Sequence, residues 1–126
     1  MLGTGNAMAI ECYNTCFALK SGEEYFLVDA GGGNGIFTQL KKANIACTDI
    51  HHMFITHAHT DHLLGMVWMV RNIAMMINNG KYEGTLTIYC HDEVKETLLT
   101  ICRLTLPQKI MLPIGKRILI QEVKDG

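Results

Sequence analysis

The sequence predicts a layered α/β fold, and three observations support this. Near the start of the chain, two apolar runs flank a turn at residues 21–24, which is typical of a β-hairpin. From residue 36 onward, segments with the apolar spacing of an amphipathic helix alternate with short strand-like runs. A strand-like run at residues 51–56 leads directly into a histidine-rich segment. Strands that gather first and then alternate with helices indicate helices packed on a sheet.

The elements before the histidine-rich segment follow from turn signals and apolar spacing. The hairpin strands are predicted at residues 15–19 and 25–28, and their near-continuous apolar character suggests burial on both faces. A short helix is predicted at residues 36–43 and ends at Asn44.

The elements after it alternate in type. A long helix follows His62, because apolar residues recur there on one helical face, and the Asn78-Asn79-Gly80 turn ends it. The remaining predicted elements are, in order, a strand at 85–89, an amphipathic helix at 92–104, irregular chain between Pro107 and Pro113, and a strand at 118–123.

Composition limits the classes of function. With 126 residues, the chain forms one domain at most, and 48% hydrophobic residues are enough for a packed core. The formal net charge is −1, and no basic stripe of the kind that follows a nucleic-acid backbone is present. A polyanionic substrate still fits if bound metal ions supply positive charge.

The cellular location is predicted from targeting signals, apolar segment length and cysteine pattern. No signal-peptide pattern and no segment of transmembrane length are found, so a membrane is not an expected partner. The five cysteines are an odd number and form no C-x-x-C pair, which favours a reduced, cytoplasmic protein.

The segment His57-Ala58-His59-Thr60-Asp61-His62 carries the candidate chemistry. In extended chain, side chains at i and i+2 point the same way, so His57 and His59 can aim at one point. Asp61 and His62, held at a helix start, can aim at a second point nearby. Imidazole and carboxylate ligands suit zinc and, less exclusively, manganese or iron. A lone histidine usually binds no metal and is an ordinary surface or core residue. Four ligand-type residues at this spacing instead favour metal binding.

Other polar residues have two interpretations each. Asp29, followed by glycines at a strand end, either makes a turn or lies beneath the metal site and orients a ligand histidine. His51 and His52 are interpreted as ordinary polar residues at a strand start. His91 is either a further ligand or a loop histidine at a helix start, and the second fits its position better.

These motifs resemble the metallo-β-lactamase-fold superfamily. The resemblance covers the first half of the chain and rests on Leu2-Gly3-Thr4-Gly5, on Asp29-Ala30-Gly31 after a strand, and on the segment from Ile55 to Gly65. The Leu-Gly-Thr-Gly opening is similar to the ribonuclease Z-like branch, mostly phosphodiesterases that process tRNA 3′ ends or hydrolyse cyclic nucleotides, some of them viral proteins that disarm bacterial cyclic-nucleotide defence.

The resemblance implies the N-terminal half of a four-layer αββα sandwich, with residues 1–126 as a single partial metallo-hydrolase domain. It implies two zinc ions, with His57 and His59 on the first and Asp61 and His62 on the second. Asp61 would also orient the attacking hydroxide, and Asp29 would support the site from beneath. The tRNA-processing members typically have Gly-Leu-Pro after the cluster, whereas Gly65 here is followed by Met66-Val67, which disfavours a tRNA substrate.

The resulting hypothesis is a metal-dependent phosphodiesterase that uses a dinuclear-zinc-bound hydroxide on a cyclic nucleotide or RNA. The alternatives are a metallo-hydrolase of thioesters, lactones or β-lactams, and a non-catalytic metal-binding fragment. The family takes its remaining ligands and general acid from beyond residue 126, so the isolated chain is expected to be inactive. It is also expected to form a homo-oligomer or to assemble with the rest of the domain, because a half-sandwich leaves one sheet face uncovered.

Overall fold

A computed structural model describes residues 17–56 and 60–123 of the chain. Within this part, one sheet contains five strands in the order β1-β2-β3-β4-β5. The strands are β1 (Phe17–Ser21), β2 (Glu24–Val28), β3 (Ile50–Phe54), β4 (Leu86–Cys90) and β5 (Ile118–Glu122). Strand β1 runs antiparallel to β2, and the pairs β2–β3, β3–β4 and β4–β5 are parallel. The predicted hairpin and the predicted strands after it are confirmed within one or two residues, apart from the start of the first strand, which lies outside the described part.

The helices connect the parallel strands. They are α1 (Gly35–Lys42), α2 (Thr60–Asn78), α3 (Asp92–Thr105) and α4 (Gln108–Met111), with a 3₁₀ turn at Cys47–Asp49. Although α2 has 19 residues, no helix in the described ranges is both long and apolar enough to cross a membrane.

One prediction about this layer is wrong. The chain between Pro107 and Pro113 was expected to be irregular, but it contains α4. Pro107 directly precedes this helix, where the first amides need no helical partner and proline is therefore tolerated. Its carbonyl oxygen accepts the amide of Ile110 over 2.9 Å, which closes the first turn.

The helices lie on one face of the sheet because the topology requires it. Each parallel connection advances the sheet in the same direction, and such connections are right-handed almost without exception. Successive right-handed connections in one direction place their helices on the same side. Leu27, Met53 and Ile88 pair across adjacent strands and are fully buried, so they form the strand side of this core.

The opposite face of the sheet is only partly buried. We call it the open face and define it by Phe26, His52, Phe54, Tyr89 and Leu119. The rings of Phe26, His52 and Tyr89 stack there, with centroids 6.0–6.2 Å apart. The predicted burial of the hairpin on both faces is therefore wrong for β2, because the helices cover one face and Phe26 on the other is only half-buried.

A bulge in β3 sets which residues reach the open face. Tyr25 pairs with Ile50 and Phe26 pairs with His52, so His51 is the extra residue between the two pairs. The shift allows both Ile50 and Met53 to face the core, at a spacing that a regular strand does not permit.

Candidate metal centre at the carboxyl edge of the sheet

Three connections leave the sheet at the same edge. Asp29 follows β2, residues 55–62 follow β3, and His91 follows β4. Because these strands are parallel, their carboxyl ends meet at one edge, which is where open α/β sheets usually bind ligands.

Asp29 joins the ends of β2 and β3. Its amide donates to the carbonyl oxygen of Phe54 over 2.8 Å. Its carboxylate accepts the amide of Thr56 at 2.9 Å through Oδ1 and the Thr56 hydroxyl at 2.8 Å through Oδ2. The residue is 4% exposed and has φ +56°, a left-handed conformation that aspartate adopts more readily than most residues. Besides ending β2 at a turn, Asp29 is thus bonded through its buried carboxylate to the residue that precedes His57.

Gly65 holds the other end of the histidine-rich segment. Its amide donates to the carbonyl oxygen of Gly31 over 2.7 Å. A Cβ at Gly65 would overlap the carbonyl group of Ala30, so only glycine lets the first turns of α2 approach this closely. Both flanks of residues 57–62 are therefore bonded to the turn at Asp29-Ala30-Gly31.

The predicted ligand side chains lie outside the described part of the structure. This applies to His57, His59, Asp61 and His62, whose side chains are not described. The backbone of Asp61 and His62 lies in the first turn of α2, so the predicted helix start is confirmed. Metal coordination by the four side chains, and support of a ligand histidine by Asp29, stay predictions.

The remaining histidines divide as the sequence suggested. His91 directly precedes α3 at the same edge as the segment, in the helix-start position expected for it. His51 lies at the opposite end of β3, where its Nε2 is 3.0 Å from the carbonyl oxygen of Glu83 and its ring packs 5.0 Å from the Tyr82 ring. A histidine in that position cannot take part in a site at the carboxyl edge.

A cavity of about 760 Å³ opens at that opposite, amino edge of the sheet. Its lining includes Glu24, Asp49, His51 and Glu83. Among the described side chains, however, no three histidine, cysteine or acidic groups are arranged to hold a metal ion. Because its lining residues lie at the amino ends of the strands, the cavity is separate from the candidate metal centre at the carboxyl edge.

Cys90 ends β4 near the candidate centre but is not a candidate ligand. It is fully buried, and burial raises the pKa of its thiol to about 11. At neutral pH the thiol is protonated, whereas metal ligation and nucleophilic attack need the thiolate. Cys102 is also buried, with a pKa raised to about 11 by burial. Buried and protonated, both cysteines pack as small hydrophobic residues.

Sequence reasoning missed Thr56. The signal was present, because a threonine directly precedes His57 and an aspartate ends the preceding strand. Only the parallel pairing of β2 with β3 shows that these strand ends are neighbours.

Comparisons with known protein families and curated proteins identify relatives of this chain. A family model described as Anti-Pycsar protein Apyc1 matches residues 1–104. Ribonuclease Z of Phocaeicola vulgatus is 33% identical over 101 residues, which cover 79% of this chain and 30% of that protein. Ribonuclease Z of Methanococcus aeolicus is 33% identical over 104 residues, which cover 82% and 30%. The chain thus spans less than a third of the length of these curated relatives.

Solved structures show the same fold. The short form of human tRNase Z matches with a TM-score of 0.70 and 24% identity, covering 96% of this chain and 42% of that one. The metallo-beta-lactamase fold protein YhfI from Bacillus subtilis matches with a TM-score of 0.64 and 20% identity, covering 90% and 40%. The predicted fold class is confirmed, and with the family model spanning residues 1–104 the chain belongs to the Apyc1 family of ribonuclease Z-like, metallo-β-lactamase-fold proteins.

Proposed function

We propose that this chain carries one wall of the active site of a metal-dependent phosphodiesterase. The observation that carries the proposal is the H-x-H-x-D-H segment at the carboxyl edge of the sheet, bonded on both flanks to the turn at Asp29-Ala30-Gly31. A metal site needs ligands held within fractions of an ångström, and two anchored flanks provide such support.

The donor set fits zinc. His57 and His59 would hold a first ion through imidazole nitrogen, and Asp61 and His62 would hold a second, with manganese or iron as alternatives. Bound zinc would supply Lewis acidity and lower the pKa of water towards neutrality. Asp61 would also accept a hydrogen bond from the attacking water and so orient it. The amino end of α2, which begins at Thr60, adds a field that favours the phosphate anion.

A cyclic nucleotide is the substrate class we favour. The family model that matches residues 1–104 describes an anti-Pycsar protein, and Gly65 is followed by Met66-Val67 rather than the Gly-Leu-Pro of tRNA-processing relatives. The second candidate is an RNA phosphodiester, supported by the curated relatives named Ribonuclease Z. Thioesters, lactones and β-lactams remain the alternative metallo-hydrolase substrates, and no contact in the described part favours them.

We also propose that the chain acts as the N-terminal half of a larger site, in the cytoplasm. A catalytic zinc usually has three protein ligands, whereas this segment offers two for each ion. The half-exposed Phe26, Phe54 and Tyr89 on the open face suit a second sheet that would bury them. Such a sheet, from the rest of the domain or from another copy of the chain, would bring the missing ligands.

The test is hydrolysis by the intact protein that contains this chain. A 3′,5′-cyclic nucleotide, a short RNA and a generic aryl phosphodiester are compared, each with zinc, with manganese and with a chelator. The proposal expects metal-dependent cleavage, fastest for the cyclic nucleotide. Faster cleavage of RNA would select the second candidate, and cleavage only of a thioester, lactone or β-lactam would overturn the phosphodiesterase.

A further inference from the structure

The two hydrogen bonds from Thr56 to Asp29 differ in what they require of the side chain. The bond from the Thr56 amide to Oδ1, 2.9 Å long, forms with any residue except proline at this position. The bond from the hydroxyl to Oδ2, 2.8 Å long, needs serine or threonine. Together they bind both carboxylate oxygens to one residue.

The side chain of Thr56 does not pack in the hydrophobic core. Thr56 is exposed, whereas Asp29 beneath it is 4% exposed. Burying a carboxylate is unfavourable unless hydrogen-bond donors satisfy its oxygens. The buried carboxylate of Asp29 therefore keeps the amide and hydroxyl of Thr56 in place as its donors. The neighbouring residue Ile55 is fixed separately, because its amide donates to the carbonyl oxygen of Tyr89 over 3.0 Å.

We propose that Thr56 is a positioning residue for the metal centre, and that Asp29 acts on the ligand segment through the Thr56 hydroxyl as well as its amide. The paired bonds fix the orientation of the Thr56 residue, and with it the direction in which the chain enters His57. This inference rests on the proposed metal centre and adds to it a residue that the ligand motif does not include.

The expected consequence is loss of metal affinity without loss of fold. Thr56→Val keeps the shape of the side chain and the amide bond but removes the hydroxyl donor. Loss of an outer hydrogen-bonding partner typically weakens metal binding by about 10–100-fold, and that is the change expected for zinc. Thr56→Ser keeps the donor and should bind zinc within about threefold of the unchanged protein, a change below that range.

The experiment measures zinc affinity of the intact protein by competition with a chromophoric chelator, without substrate. The thermal midpoint of the metal-free form is measured beside it. Thr56→Val should lower the affinity while leaving this midpoint near that of the unchanged protein. Unchanged zinc affinity in Thr56→Val, or an equal loss in Thr56→Ser, overturns the proposal.

A double-mutant cycle keeps the test decisive if one variant is poorly stable. If Asp29 acts through Thr56, adding Thr56→Val to Asp29→Asn should lower zinc affinity little further. Fully additive losses would show that the two residues act separately and would contradict the inference. Because no substrate is present, a failure of phosphodiester hydrolysis would overturn the proposed function and leave this result unaffected.

Discussion

The amide of Gly65 and the carbonyl oxygen of Gly31 are joined by a hydrogen bond of 2.7 Å. This bond places the first turns of α2 directly on the turn that follows β2. Since residues 57–62 lie between Thr56 and Gly65, the distance between the two ends of the candidate ligand segment is set by one short turn of the chain.

The first prediction concerns this close approach. Gly65→Ala should destabilise the protein by about 2–3 kcal/mol or more, because the new Cβ would overlap the Ala30 carbonyl group and backbone would have to move. Gly33→Ala is the matched control, since a Cβ there meets no atom within 4 Å. Urea unfolding measures both, and equal stabilities of the two variants would contradict the packing described here.

The second prediction separates ligand histidines from the others. His59→Ala should lower zinc affinity by more than about 100-fold, because loss of a direct ligand exceeds the effect of an outer partner. His51→Gln should leave zinc affinity unchanged, since His51 lies at the amino end of β3 and contacts Glu83 and Tyr82. Equilibrium dialysis with zinc measures both affinities. A comparable loss of zinc affinity in His51→Gln would contradict a site at the carboxyl edge of the sheet.

The third prediction concerns the open face. Leu119→Lys should shift the isolated chain from associated species towards monomer, because Leu119 is 40% exposed on that face and a charge there opposes burial. Leu104→Lys serves as the control, since Leu104 is 80% exposed on α3 in the helical layer. Sedimentation velocity measures mass in each case. A chain that is monomeric before any substitution would rule out association through this face.

The fourth prediction is a loss of stability at alkaline pH. Burial raises the pKa of Cys90 and of Cys102 from 9.0 to about 11, so the folded state keeps protons that the unfolded state releases. Stability from these groups is complete below about pH 9 and falls as pH rises towards 11. Burial and the charge of Glu24 also raise the pKa of Tyr82, whose hydroxyl donates to the carbonyl oxygen of Ile50, and this acts in the same direction.

Urea midpoints measured across that pH range test this prediction. Cys102→Ala removes one buried thiol and should make the alkaline decline less steep, although it costs some stability at neutral pH. A decline of the same steepness in Cys102→Ala would show that this thiol does not titrate as described.

Much of the fold could be predicted from the sequence because its signals are local. The Asn78-Asn79-Gly80 turn ends α2 where expected, with Gly80 at φ +71°. The apolar spacing of residues 92–104 predicts that Val94, Leu98, Ile101 and Cys102 face inward; Val94, Leu98 and Cys102 are buried and Ile101 is half-buried. The error at β2 has a different origin, because an apolar run shows that a strand is buried but not how many of its faces are covered.

The amino-acid sequence by itself determined the ligand-type residues, their spacing, and their place between a strand and a helix. These follow from residue identity and from the two periodicities of secondary structure. Tertiary structure alone decided that Asp29 bonds to Thr56, that α2 must carry glycine at position 65, and that the β3 bulge turns His52 onto the open face. The reason is physical: each depends on which strands and strand ends become neighbours in the sheet, and pairing between residues 25 or more positions apart leaves no periodic trace in the chain.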